Sequence, residues 1–246
     1  MNNKNIVRTR DDVDWGCFHD ELNSAEAMVK ICVIRIKTIN KIAEELTKIV
    51  LDKSWMMDLD NRTQRCYRYT VEETSKLLVD IFNQIKAQSS SEKDIGVEFG
   101  EIMVSMGASR ALNKLFDHVS LPIAELWKPQ KKQNEGFDFH TVCPEKMVNF
   151  GEAKYSGVSN PHGDALTQII DFLNVEKHLR DAVHLTNLAG EEACDNLDNE
   201  SFGVVAAFSI NSENYELIIK NALESVKQKN LLNKCSIVYL VGVICK

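Results

Sequence analysis

Apolar positions recur along this chain with two different periods, and each change of period marks an element. Met28–Ile36 sets Val29, Ile31, Val33 and Ile34 against charged neighbours, which predicts a strand. Ile39, Ile42, Ala43, Leu46, Ile49 and Val50 then fall at helical spacing. A second helix is predicted from Val71 to Lys86, with Thr70 as N-cap and Glu73 three residues on. Leu77, Leu78, Ile81, Phe82 and Ile85 form its buried stripe. The polar stretch Gln88-Ser89-Ser90-Ser91-Glu92-Lys93 reads as a linker or exposed loop. It divides the chain into an N-terminal α/β region over 1–90, suited to packing or partner docking, and a second region over 91–246.

That second region has a clearer order. A helix is predicted from Val97 to Phe116, with Ile102, Met103, Met106, Leu112 and Leu115 inward. Strand-like runs follow at Leu121–Trp127, Gly136–Val142 and Met147–Tyr155, with turns at Asn134-Glu135-Gly136 and Cys143-Pro144-Glu145-Lys146. Next come a long helix over roughly Gly163 to Leu188, an acidic loop from Gly190 to Glu200 and a β-rich run at Phe202–Ile210. A helix at Glu213–Lys229 and a strand at Ser236–Ile244 close the chain. This order predicts the α/β class, an α+β mixed sheet flanked by helices.

Composition narrows the function classes. The 246 residues are 44% hydrophobic and 26% charged, ordinary values for a globular protein. The polar start, Met1-Asn2-Asn3-Lys4-Asn5, lacks a signal-peptide core, and the longest apolar run, Ser236–Cys245, is too short to span a bilayer as a helix. A cytoplasmic protein is therefore expected. Seven scattered cysteines without a Cys-x-x-Cys pair argue for reduced thiols and against structural zinc. A formal charge of −7 is awkward for a free-standing DNA binder. Either a locally basic cleft sits in an acidic protein, or a partner supplies most of the grip.

The candidate chemistry lies in Phe150-Gly151-Glu152-Ala153-Lys154 and in Asp138 upstream of it. On a strand, Glu152 and Lys154 share one face and Ala153 takes the other. Glu152–Lys154 is the only acid-x-Lys in the chain, and it directly follows an apolar run. Asp138 and Glu152 are candidate ligands for Mg²⁺, with Mn²⁺ as an alternative, because magnesium takes oxygen donors and keeps several waters. Such an ion supports phosphodiester hydrolysis. Lys154 would orient the attacking water or stabilise the phosphate by its charge; a role as base requires its pKa to drop from ~10.4 toward neutrality. The competing reading is a surface Glu–Lys pair of little energetic weight. Glu98 and Glu101, three apart on the preceding helix, share a face from which one can complete the site. Gly100 beside Glu101 costs about 1 kcal/mol of helix propensity, so the pair has a reason to be there.

Other residues carry less. His140, two after Asp138, is either a substrate contact or a packed histidine. Lys128, Lys131 and Lys132 are either phosphate grips or solvated lysines. Trp15, Trp55 and Trp127 lack the stacking pattern of single-strand binders.

The ordered set Glu101, Asp138 and Glu152-Ala153-Lys154 resembles the PD-(D/E)xK, or restriction-endonuclease-like, nucleases. More narrowly, three blocks are similar to the nuclease subunit of the bacterial Hachiman antiphage system: Glu98-Phe99-Gly100-Glu101, Gly136-Phe137-Asp138-Phe139-His140 and Phe150-Gly151-Glu152-Ala153-Lys154-Tyr155. The resemblance covers roughly Gly96 to Leu173. It departs in two places: Phe137 stands where the superfamily's proline is usual, and Val97 replaces a glycine. Neither change removes a ligand. The resemblance implies a restriction-endonuclease-like core and a metal-dependent DNase in phage defence, with Glu101, Asp138, Glu152 and Lys154 as the catalytic set. It also implies a superfamily 2-type DNA helicase partner that restrains or licenses cutting. The competing class is a nuclease-like interaction module that binds helicase or DNA without cutting. A site-specific restriction enzyme is disfavoured, because no separate recognition domain is evident.

Overall fold

A hairpin of β1 (Ile6–Asp12) and β2 (Cys17–Leu22) opens the chain and leads into β3 (Val29–Ile36), α1 (Ile39–Leu51) and α2 (Asn61–Ala87). Then come α3 (Val97–Phe116), the short β4 (Val119–Ser120), α4 (Ala124–Trp127), β5 (Phe139–Val142) and β6 (Val148–Lys154). Four helices follow: α5 (His162–Asn174), α6 (Lys177–Arg180), α7 (Ala182–Leu188) and α8 (Glu191–Asp198). Strand β7 (Gly203–Ile210), α9 (Tyr215–Gln228) and β8 (Ile237–Ile244) complete the order. The structure is a computed structural model that describes residues 5–88, 95–128 and 136–245. Most of the expected linker, the Asn134-Glu135 part of one expected turn, and Lys131 and Lys132 lie outside the described residues.

Among the described residues, eight strands form one mixed sheet in the order β1-β2-β3-β8-β7-β6-β5-β4. The middle pairs β3–β8, β8–β7 and β7–β6 are parallel, and antiparallel strands extend both edges. Every residue of β7 is buried, as expected where helices cover both faces of a parallel strand. One face carries Ile34, Ala153, Val205 and Val241 beneath Ile42 and Leu46 of α1, Phe82 of α2 and Met103 and Leu112 of α3. The other carries Val33, Phe150, Val204 and Leu240 beneath Leu166 and Ile169 of α5 and Ala222 and Val226 of α9. The N-terminal region thus contributes three strands to the same sheet as the rest, through β3 against β8.

Several expected elements differ. Helix α2 starts ten residues before Val71, capped by Asp60, whose carboxylate accepts from the backbone N–H groups of Arg62 at 2.8 Å and Thr63 at 3.3 Å. Its first three turns are mostly exposed and polar, so they carry no apolar stripe to read. The run Leu121–Trp127 is not a strand: Pro122 cannot donate to a ladder, and the chain turns into α4, with Trp127 Nε1 donating to the Pro122 carbonyl. The long helix is three helices, broken at Glu176, which takes φ +55°, and at Asp181. The acidic stretch forms α8, because Ala193 and Leu197 bury one side of it. Among the described residues no helix is long and apolar enough to cross a membrane.

Candidate active site at the free edge of β6

Strand β6 pairs with β5 only as far as Gly151, opposite Phe139, but stays paired with β7 as far as Lys154. Residues 152–154 therefore leave a free backbone edge where the chain enters β5. Asp138, one residue before that strand, occupies it. Its backbone N–H donates to the Gly151 carbonyl at 2.8 Å, and its Oδ2 accepts from the Ala153 N–H at 2.7 Å. Gly151 is required for this arrangement, since a Cβ there would lie 2.3 Å from the Phe139 ring. Gly100 has a comparable reason: the Tyr155 ring, next to Lys154, sits where its Cβ would be, 2.2 Å away.

Glu152 is fully buried. Lys154 Nζ lies 2.7 Å from its Oε1, a charge-assisted contact, and among the described residues its Oε2 has no hydrogen-bond partner. Burial, and then repulsion from Asp138, push the Glu152 carboxyl up to about 8 despite the pull of Lys154. Asp138 is pushed up to about 6, mainly by burial, with the Ala153 hydrogen bond opposing. Burial alone would lower Lys154, but Glu152, Asp138 and Glu101 together outweigh it and hold the ammonium above its ordinary range. Lys154 is thus held as a positive charge.

Glu101, half-buried on α3, is raised by burial against the pull of Lys154. It lines a cavity of about 180 Å³ together with Glu98, Asp138 and Glu125. Thr74, Leu77 and Leu78 of α2 form the opposite wall. Glu98 is exposed at the rim. Glu125 is absent from the sequence-based set, yet it is pushed up to about 7 by burial and by Asp138, and its buried Oε2 has no hydrogen-bond partner among the described residues. An acid inside the apolar run Leu121–Trp127 was the available signal, hidden by reading that run as a strand.

His140 stands elsewhere. It is fully buried, with Nε2 3.1 Å from Asp181 Oδ2 and its ring against Trp127 and Phe150. Lys128 joins the same group, 2.8 Å from Asp181 and donating to the Phe137 carbonyl at 2.7 Å. Both side chains hold the chain that carries Asp138.

The residues fit a hard divalent cation on one observation above all, a buried glutamate whose Oε2 has no partner among the described residues, beside a second buried carboxylate. Magnesium needs no more than two protein carboxylates, its other positions being taken by water and phosphate. The carboxylates of Glu101, Asp138 and Glu152 do not all close to within 4.8 Å; among the described residues, Asp12, Cys17 and His19 are the three donors that do. Under the nuclease reading proposed below, Glu101→Gln is expected to slow cutting ~10²-fold and Glu98→Gln less than ~5-fold in single-turnover assays, because Glu101 is half-buried in the cavity and Glu98 is exposed. Equal losses would remove the distinction drawn between them.

No protein-family model matches the chain, and no curated protein matches it.

Proposed function

We propose that this chain is a divalent-metal-dependent DNA nuclease with a restriction-endonuclease-like core. The fully buried Glu152, with Asp138 and Lys154 beside it and its Oε2 unpartnered among the described residues, carries the reading. Buried carboxylates held close together are costly, and such clusters concentrate at functional sites. Asp138 and Glu152 would hold Mg²⁺ or Mn²⁺, with Glu101 and Glu125 adding negative charge around it. When bound, the cation supplies Lewis-acid neutralisation of the phosphate and activation of water. Lys154, kept as an ammonium, balances the charge that builds on the phosphate oxygens as a water oxygen bonds to phosphorus and the P–O ester bond breaks.

The resemblance to the Hachiman nuclease subunit extends this to a phage-defence effector working with a DNA helicase. Two features favour dependence on a partner. The chain carries −7 overall, unfavourable for gripping DNA alone. Helix α2 walls the carboxylate cavity, so access to it depends on what holds that helix. The test incubates the chain, with and without its helicase, with linear and supercoiled DNA in Mg²⁺ or EDTA. Cutting in Mg²⁺ that EDTA stops is expected. No cutting in any combination would instead favour a module that binds helicase or DNA without cleaving it.

A further inference from the structure

We infer that Asp12, Cys17 and His19 form a zinc-binding site at the β1–β2 hairpin, separate from the carboxylates at β6. Asp12 stands directly opposite Cys17 in the hairpin register, and His19, two residues on, shares the face of Cys17. All three side chains are buried, at 3%, 0% and 0% exposure. His19 Nε2 lies 3.3 Å from Asp12 Oδ2 and 3.5 Å from Cys17 Sγ. Zinc bonds of ~2.0–2.3 Å at tetrahedral angles place N and O about 3.4 Å apart, and N and S about 3.6 Å apart. The observed separations match both.

Arg110, the Trp15 N–H and His19 can satisfy Asp12 by hydrogen bonding, but one Nε2 cannot serve both of its contacts. In either tautomer Nε2 has a single role. As a donor to Asp12 it leaves the Cys17 thiol with no acceptor on the ring; as an acceptor from the thiol it turns its lone pair toward a carboxylate. One cation between the three donors satisfies all of them. The donor set, one sulfur, one nitrogen and one oxygen, suits zinc and not magnesium. Arg110 of α3 supplies the outer support that a ligating carboxylate ordinarily receives: Nε donates to Oδ2 at 2.7 Å and the terminal amine to Oδ1 at 3.2 Å. Binding forms a Zn–S bond and releases the Cys17 thiol proton to solvent, while His19 binds through Nε2 with its ring proton on Nδ1. Cysteine spacing argues against a structural zinc built on clustered Cys and His; here the third ligand is an aspartate from the neighbouring strand.

The full chain, purified without chelator, is expected to carry about one zinc per molecule. Cobalt in its place is expected to give a thiolate-to-metal charge-transfer band. Cys17→Ser removes the band, His19→Asn weakens uptake at least ~10-fold, and Glu152→Gln changes neither. Failure of the wild-type chain to take up zinc or cobalt stoichiometrically, or a cobalt spectrum without the thiolate band, overturns the assignment whether or not the variants fold. Loss of the zinc in Glu152→Gln also overturns it, because the two sites would then not be separate. The result is independent of whether the chain cuts DNA.

Discussion

Glu152→Gln is expected to lower metal-dependent DNA cutting by ~10³-fold or more, and at pH 8 to make the metal-free protein more stable. The two effects have one cause. Glu152 is fully buried, and burial together with Asp138 raises its folded pKa to about 8 against the pull of Lys154. A carboxyl whose folded pKa lies above its unfolded value binds more protons in the folded state between the two. Its contribution is complete below the unfolded value of about 4.5 and is lost as pH rises toward 8. A neutral amide of the same shape escapes that loss, so the variant's advantage grows with pH. Calorimetry at pH 5 and pH 8 reads it directly: the difference between variant and wild type should open as pH rises. Saturating Mg²⁺ should close most of that difference by stabilising only the wild type. A variant less stable than wild type at pH 8 that still cuts at the normal rate would mark Glu152 as a structural residue.

Much of this site was legible in the sequence, because its parts follow local rules. Alternation along β6 puts Glu152 and Lys154 on one side and packs Ala153 in the layer under α3. The helix Val97–Phe116 has its predicted bounds. Three-dimensional context supplied the rest. Asp138 stands at the residue before β5, held by backbone groups of β6, and no periodicity encodes that contact. Glu125 reaches the cavity only because Pro122 turns a strand-like run into a helix. The choice between Glu98 and Glu101 depends on which side of α3 meets α2 and Lys154, a question of packing between distant segments. The hairpin β1–β2 is mostly polar along β1, an exposed edge strand, so its pattern resembles a loop. The Asp12–Cys17–His19 convergence went unseen for the same reason.

Lys154→Ala is expected to reduce cutting ~10²- to 10³-fold while leaving the Mg²⁺ concentration for half-maximal activity within ~3-fold of wild type. The ammonium does not ligate the cation, so its loss removes charge stabilisation and not metal affinity. Two roles for this lysine separate cleanly in the pH profile. A lysine acting as base would need a pKa brought down toward neutrality, and activity would rise through that value in the wild type and lose the inflection in the variant. Here Glu152, Asp138 and Glu101 outweigh burial and hold the pKa up, so no such inflection is expected to be lost. Lys154→Arg provides the complementary test, since it keeps the positive charge but cannot deprotonate. It is expected to cut at least ~10-fold faster than Lys154→Ala, although the broader guanidinium fits the Glu152 contact poorly. Arginine and alanine variants equally inactive, together with a lost inflection near neutral pH, would make Lys154 the base and require its charge to be displaced when DNA and metal bind.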